Sequence, residues 1–531
     1  MTLTIDLSVP TDFNWAYDVV DQWAADPQKL AMRWVSSDHQ VHDLTFAELR
    51  ERTNRLANGL EALGLQRGER VFVMLPRLVA WWETMLGLIK LGAVAMPGTT
   101  LLTPKDIAYR INTAEVSAVI TDADGAAKLA QIQAQCPSLR IQVIVGSDQP
   151  GWHNFASLQA TSAPERPRQF SSSTDPCLVY FTSGTVGNPK MVLHNQSYPI
   201  GHRITGAYWL ALGPADLHWN LSDTGWAKAA WSSLFGPWNM GAALFVHDGR
   251  GKYNPRETLD LLAQHPISSF CAAPTIYRLL VQEDLKAFQF PHLRSCVGAG
   301  EPLNPEVIEV WQQATGITIR DGYGQTESVL LCGNPPGAEV RPGSMGRPLP
   351  GIELAVIDDD NQPLPPRREG DLAVKVQPKR PVGLFQEYWR SPAATAACHR
   401  GDWYVTGDRA YVDEDGYFWF VGRADDVIIS AGYRIGPFEV ESALIEHPAV
   451  AEAAVVAKPD AERGSIVKAY VVLSSSYQPS EALAHELQEF VKSLTAPYKY
   501  PREIEFMRDL PKTVSGKIRR VELRGKAATE G

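Results

Sequence analysis

Three short segments, far apart in the chain, carry residue types that can handle phosphate. Residues 180–190 (YFTSGTVGNPK) combine Gly184 and Gly187 with the hydroxyls of Thr182, Ser183 and Thr185 and the charge of Lys190. Glycines let a backbone turn tightly and aim N–H groups at an anion. Residues 321–327 (DGYGQTE) offer the Thr326 hydroxyl to a phosphate oxygen and the Glu327 carboxylate to a divalent cation between phosphates. Residues 511–517 (PKTVSGK) bring Lys517 from the far end of the chain, behind Gly516. A point charge on a flexible stem suits a centre where a phosphate and a carboxylate meet.

Each segment has an ordinary reading when taken alone. The first could be a solvated strand-to-helix turn with an exposed lysine. It is not a Walker loop, because Pro189 precedes Lys190 and Met191 follows it. Thr326 and Glu327 could be a surface pair at a helix start. Asp408, in residues 404–408 (YVTGD), could cap a turn. Lys517 could belong to a solvated basic tail.

The ordered set is more specific than its parts. Residues 180–190, 321–327, 404–408, 422–441 (GRADDVIISAGYRIGPFEVE) and 511–517 resemble the core motifs of the adenylate-forming superfamily. That superfamily contains acyl-CoA synthetases, peptide-synthetase adenylation domains and luciferases. The resemblance covers nearly the whole chain. It implies ATP, Mg²⁺ and coenzyme A as reactants, with a small carboxylic acid activated as its adenylate.

The resemblance also implies roles for single residues. Lys517 catalyses adenylation, Thr326 contacts phosphate and Glu327 holds magnesium. Tyr323 lies flat against adenine, and Asp321 and Gly322 belong to the same nucleotide segment. Gly300, Glu301 and Pro302, in residues 298–303 (GAGEPL), border adenine and the acyl pocket. Asp408 accepts the ribose hydroxyls, and Arg423 reaches ribose or phosphate. Asp425 is the hinge about which a C-terminal domain swings between adenylation and thiol transfer. After the swing, Gly432 lines a thiol tunnel and Arg434 meets phosphates. Ser430, Arg463, Lys492 and Tyr500 are candidates for the coenzyme A nucleotide, by similarity to medium-chain acyl-CoA synthetases.

Residues 220–228 (NLSDTGWAK) resemble the same medium-chain enzymes. Trp226 would form a wall or floor of the acyl pocket, with Ala299 at its side. The acidic partner that an amino-acid substrate would need is missing there. The expected substrate is a medium-chain or branched fatty acid. An aryl-acid CoA ligase, and an acyl-AMP ligase that charges a separate carrier protein, remain open. From another class, a nucleotide-binding regulator without turnover remains open too.

Composition agrees with a soluble enzyme. The chain has 531 residues, of which 44% are hydrophobic and 21% charged, with a net charge of -10. That balance gives no general attraction to nucleic acid. The six cysteines are scattered without metal-like spacing, as expected in a reducing compartment. No basic region followed by a long apolar run opens the chain, and no stretch of ~18 uncharged apolar residues suggests a membrane span. A cytoplasmic location is the expectation. Oligomeric state is not legible.

The elements that must position these residues are legible from their patterning. A helix is expected near residues 45–65, a strand at 70–74 and helices at 81–90 and 303–315. Residues 85–96 (MLGLIKLGAVAM) read as a core helix. Strands are expected at 116–121, 141–145, 177–181, 243–246, 268–272 and 293–297, and a smaller β region at 370–376 and 417–421. The strand–helix rhythm predicts an α/β fold with parallel sheet. The expected architecture is a large N-terminal domain of layered mixed and parallel sheets, residues 1–424. A small mobile α+β domain, residues 425–531, carries Lys517.

Overall fold

The computed structural model of the chain describes residues 5–182, 189–431, 433–460, 462–512 and 517–529. Local chemistry sets where the helices begin and end. The helix Phe46–Ala62 starts at Thr45, whose hydroxyl accepts the Glu48 N–H while the Glu48 carboxylate accepts the Thr45 N–H. The helix Val79–Leu91 stops at Gly92, in the left-handed region at φ 76°. The apolar stretch 85–96 is therefore not one helix. Its end is the strand Val94–Pro97, because Gly92 turns the chain back along the sheet.

Two large sheets result. In the eight-stranded sheet, Val94–Pro97, Arg70–Met74, Ala118–Thr121 and Ile141–Ile144 lie parallel in that order. Pro176–Phe181 adds a parallel strand beside Val94–Pro97, and Met191–Asn195 returns antiparallel to it. The fourteen-stranded sheet has a parallel run of Leu30–Val35, Ala243–His247, Leu217–Leu221, Ser269–Ala272, Ser295–Ala299 and Ile319–Gly324. It continues antiparallel through Leu330–Gly333, Ser344–Pro348, Phe418–Arg423 and Trp403–Val412.

One apolar core draws on both sheets and on the helices Phe46–Ala62 and Val79–Leu91, with Trp15, Trp81, Trp82 and Trp238 inside it. A second core packs the helices Pro255–Gln264, Pro274–Leu280 and Pro305–Thr315 against the larger sheet. The C-terminal part is built separately. Val450–Asp460 and Gly464–Leu473 pair antiparallel, and Glu503–Met507 adds a parallel third strand. The helices Pro437–Ile445, Glu481–Leu494 and Arg520–Thr529 accompany them. The main core here takes residues only from positions 428–506. No described helix is long and apolar enough to cross a membrane.

The helix Val79–Leu91 is buried nearly all round, and so are its two ionisable side chains, Glu83 and Lys90. The Lys90 ammonium lies 2.9 Å from Asp21 and 2.8 Å from the Asn54 side-chain oxygen. Burial draws Lys90 down to about 8 and pushes Asp21 up, so the pair exists at a desolvation cost. Removing one member strands the other. Lys90→Ala should lower stability by about 3 kcal/mol, read as a shift of the denaturation midpoint.

Candidate active site

Two of the segments with phosphate chemistry, 180–190 and 321–327, leave the C-terminal ends of parallel strands, where open α/β sheets place their clefts. Pro176–Phe181 delivers Thr182, Ser295–Ala299 delivers Gly300, and Ile319–Gly324 delivers Gln325 and Thr326. The first loop joins two antiparallel strands, Pro176–Phe181 and Met191–Asn195. Its base is tied by Thr182 N–H to Lys190 O at 2.9 Å and Lys190 N–H to Thr182 Oγ1 at 3.1 Å. Ser183, Gly184, Thr185 and Gly187 lie outside the described residues.

Lys190 is exposed and rests 4.7 Å from the centre of the Tyr388 ring. Tyr388 in turn donates to Glu327 Oε1 at 2.7 Å. Tyr388 reaches this place because Glu387–Tyr388 pairs with Met191–Asn195, the return strand of the first loop. Burial pushes the Glu327 carboxyl up, and the Tyr388 hydrogen bond offsets part of that. Beside it, the Thr326 carbonyl accepts from His194 Nε2 at 2.8 Å. Burial holds His194 near 3, so the ring is neutral with its proton on Nε2.

Asp408 is the hub of the next layer and is 3% exposed. Its Oδ2 accepts from the Tyr323 hydroxyl and from Gln325 Nε2, the latter at 2.8 Å. Gln325 is fixed by two further bonds, from its Nε2 to Thr406 O at 2.9 Å and from the Tyr404 hydroxyl to its Oε1 at 3.0 Å. Asp408 Oδ1 is different. It lies 3.3 Å from Arg423 Nε, yet no well-formed hydrogen bond reaches it. Burial raises the Asp408 carboxyl, while Arg423, Tyr323 and Lys517 pull the other way. Burial works against the Arg423 charge, but Asp408, Tyr323, Asp425 and Glu327 together hold it protonated. Asp408 and Arg423 are direct partners in the strand register.

On the neighbouring side, Gly298 pairs with Asp321 and Ala299 with Gly322. Asp321 is buried, accepts the Gly322 N–H at 2.8 Å and is pushed to about 7 by desolvation. Gly300 takes φ 106°, and no atom lies within 4 Å of where a Cβ would stand. Glu301 accepts from Thr275 Oγ1 at 3.1 Å and from Arg278 Nη2 at 3.0 Å, with Pro302 half-buried after it. Arg278 also bonds Asn304, which reaches Ser442 of the C-terminal part at 3.2 Å.

Trp226 is half-buried at the N-cap of the helix Ala227–Ala230. Two residues on, Lys228 Nζ donates to the carbonyl of buried Ala299 at 2.9 Å. Burial draws Lys228 down, and Glu301, Asp321 and Lys517 all act on it electrostatically. Lys517 therefore belongs to the same charge neighbourhood as Asp408 and Lys228, although it is exposed. Sequence reasoning missed Lys228, His194 and Tyr388. Lys228 could have been found as a charge inside an apolar helix; nothing local marks the other two.

The remaining candidates lie on the C-terminal part. Asp425 occupies an exposed turn, with Arg524 donating to its carbonyl and to Asp426 Oδ1, the latter at 2.6 Å. Arg434 and Arg463 are exposed, and the Arg463 carbonyl accepts the Ala431 N–H at 2.9 Å. Lys492 sits 4.2 Å from the centre of the Tyr500 ring. Ser430 is buried. Gly432 lies outside the described residues.

A family model described as AMP-binding enzyme matches residues 19–389, and one described as AMP-binding enzyme C-terminal domain matches residues 439–517. Acyl-coenzyme A synthetase ACSM3, mitochondrial, from Mus musculus is 47% identical over 98% of this chain and 91% of its own. Acyl-coenzyme A synthetase ACSM5, mitochondrial, from Homo sapiens is also 47% identical, over 97% and 91%. The crystal structure of the anthranilate CoA ligase AuaEII in complex with anthranoyl-AMP superposes with a TM-score of 0.91 at 31% identity, covering 98% of this chain and 99% of that one. For a benzoate CoA ligase from Burkholderia xenovorans LB400 the TM-score is 0.84 at 30% identity, covering 96% and 100%. The expected cytoplasmic location is overturned by the synthetase relatives, which are mitochondrial enzymes. Net charge and thiol spacing report solubility and redox state, and neither separates one reducing compartment from another.

The loop carrying Trp226 depends on Gly225. A Cβ there would stand 2.0 Å from the Thr99 nitrogen and 2.3 Å from the Gly98 carbonyl carbon. Both are backbone atoms and cannot rotate away. Gly225→Ala should cost roughly 1–3 kcal/mol of stability, read by thermal melting, and should displace Trp226, read as a change in its fluorescence.

Proposed function

The chain belongs to the AMP-binding enzyme family, and we propose that it makes acyl-CoA from a medium-chain or branched fatty acid. It is an ATP-dependent adenylate-forming ligase that activates a carboxylic acid through an acyl-adenylate. A carboxylate oxygen attacks the α-phosphorus of ATP, the bond to pyrophosphate breaks and the acyl-adenylate forms. The thiol of coenzyme A then gives up its proton and attacks the acyl carbon, and AMP leaves.

The observation that supports the residue assignment most is the charge of Lys517 acting on Asp408 and Lys228. A cation from the far end of the chain stands by the carboxylate that would accept the ribose hydroxyls. The unfilled Asp408 Oδ1 fits that role, since a buried acceptor lacking a donor suits an incoming hydroxyl. Tyr323 and Gly300 to Pro302 frame adenine, and Arg423 meets ribose or phosphate. Lys517 stabilises the charge that develops on the α-phosphate. Thr326, Thr182 and Lys190 contact the outer phosphates. Mg²⁺ would supply charge neutralisation of the phosphates when bound. Glu327 fits it as a buried carboxylate that burial leaves short of positive charge.

Trp226, Ala299 and Gly300 bound the acyl chain, and the open space at Gly300 supports room for it. The likeness to anthranilate and benzoate CoA ligases favours an aryl acid as the second reading. The division at 424/425, with Asp425 as pivot, is supported by the exposed turn and the separate C-terminal core. In the other orientation, Arg434, Arg463, Lys492, Tyr500, Ser430 and Gly432 would serve coenzyme A.

Two experiments test this reading. Straight-chain, branched and aromatic acids are incubated with ATP and Mg²⁺, with and without coenzyme A, and the products are weighed. Acyl-CoA from the medium-chain or branched acids is expected; aromatic acyl-CoA would favour the second reading, and adenylate alone would point to a carrier protein. In the second, Lys517→Ala should slow adenylate formation by about 10²–10³-fold while sparing thioester formation from supplied acyl-adenylate. Equal loss in both half-reactions would remove Lys517 from its role.

A further inference from the structure

Away from the nucleotide cleft, three donor side chains converge at the other end of the parallel run. His247 ends the strand Ala243–His247 and pairs in register with Val35. His39 lies in the turn joining Leu30–Val35 to Val41–Thr45. Glu257 stands in the first turn of the helix Pro255–Gln264, capped by Asn254. We propose that His39, His247 and Glu257 form a binding site for a divalent transition-metal ion of the zinc class.

The geometry is that of a nearly closed tripod. Glu257 Oε1 lies 3.8 Å from Nε2 of His39 and 3.8 Å from Nε2 of His247. One donor atom from each of the three side chains lies within 4.8 Å of the others. Zinc bonds of about 2.0–2.2 Å to nitrogen and oxygen need donor atoms roughly 3.3 Å apart in a tetrahedron. The two pairs with Glu257 must therefore close by about 0.5 Å and no pair by more than about 1.5 Å, and one donor has the freedom to make that movement. His39 is 60% exposed in its side chain, on a five-residue turn.

His247 supplies the independent sign of a ligand. Its side chain is 6% exposed, and Nε2 has no hydrogen-bond partner while pointing towards the Glu257 carboxylate. An unsatisfied imidazole nitrogen in such a place costs stability unless something fills it. The two imidazoles lie nearly parallel, 11° apart with centroids at 5.9 Å, and the Nε2 of each lies 3.8 Å from the same Glu257 oxygen.

The donor set chooses the ion. Two imidazoles and one carboxylate suit Zn²⁺, Co²⁺, Ni²⁺ or Cu²⁺, whereas Mg²⁺ and Ca²⁺ demand oxygen. The site is thus chemically distinct from one that would serve a nucleotide. Three protein donors leave a fourth position for water. A bound ion would fasten the hairpin turn to the sheet and to the helix start, three pieces of chain more than 200 residues apart at the extremes.

The proposal is tested on the full chain, stripped with chelator and titrated with Zn²⁺ by calorimetry and with Co²⁺ by absorption. One equivalent of zinc is expected. Cobalt should give the visible bands of tetrahedral nitrogen and oxygen ligation, without a thiolate charge-transfer band. His39→Asn keeps a residue tolerant of φ 64° at an exposed turn, so folding is not at risk. His39→Asn and Glu257→Gln should each weaken zinc binding at least about tenfold and abolish any zinc-dependent rise in melting temperature. ATP-dependent turnover of His39→Asn should be unchanged. No uptake by the wild type, or equal affinity in the variants, overturns the proposal.

Discussion

A carboxylate that is almost fully dehydrated organises the centre of this molecule. Asp408 cannot hold its charge in the interior without partners, because the cost of desolvating an unpaired ion exceeds most single interactions in a protein. Its partners come from different parts of the chain: Tyr323 near the end of one strand of the large sheet and Gln325 just after it, Arg423 from the strand beside its own. Satisfying one carboxylate therefore joins the parallel run to the antiparallel extension. It also fixes the end of the strand from which the chain leaves for the C-terminal part. Gln325 is held at both ends, by Thr406 and Tyr404, so the network has few alternative arrangements.

Around that hub, burial does opposite things to acids and bases, and both effects point the same way. Asp321, Glu327 and Asp408 are all pushed up, and Lys228 is drawn down. Each group is less comfortable charged than it would be in water. Such a cluster gains when a ligand carrying both signs enters, as a metal-bound polyphosphate does. The sheet supplies the positions cheaply: strands that lie side by side end side by side, so residues far apart in sequence arrive within a few ångströms.

The C-terminal part meets the large sheets and also braces itself. Its main core is its own. Across the boundary, Asn304 meets Ser442 through a single 3.2 Å bond. Within the part, Arg520 binds Glu441 at 2.7 Å and stands 3.8 Å from Asp426, while Arg524 binds Asp426 directly. The turn at 423–427 is thus braced both to the last helix and to the large sheet, where the Ala424 N–H donates to the Gly407 carbonyl at 3.0 Å.

Much of the fold was legible because periodicity reports burial directly. The strand at 70–74 follows from a nearly continuous apolar run and the helix near 46–62 from apolar residues at three- and four-residue spacing. The break at Gly92 shows where the same signal misleads: an apolar run has no period to tell helix from strand, and the glycine was the only local mark. The candidate residues were likewise visible as types, since glycine, hydroxyl, carboxylate and lysine at those spacings suit phosphate. Sequence alone could not pair them. That Tyr388 holds Glu327, that His194 holds Thr326 and that Lys228 sits beneath Ala299 depend on strand register and helix packing. Those contacts link residues tens to more than a hundred positions apart, where no local pattern carries information. The sequence determined which chemistry the chain could hold; only the tertiary structure decided which side chains meet, because burial and pairing are properties of the assembled sheets and not of any one segment.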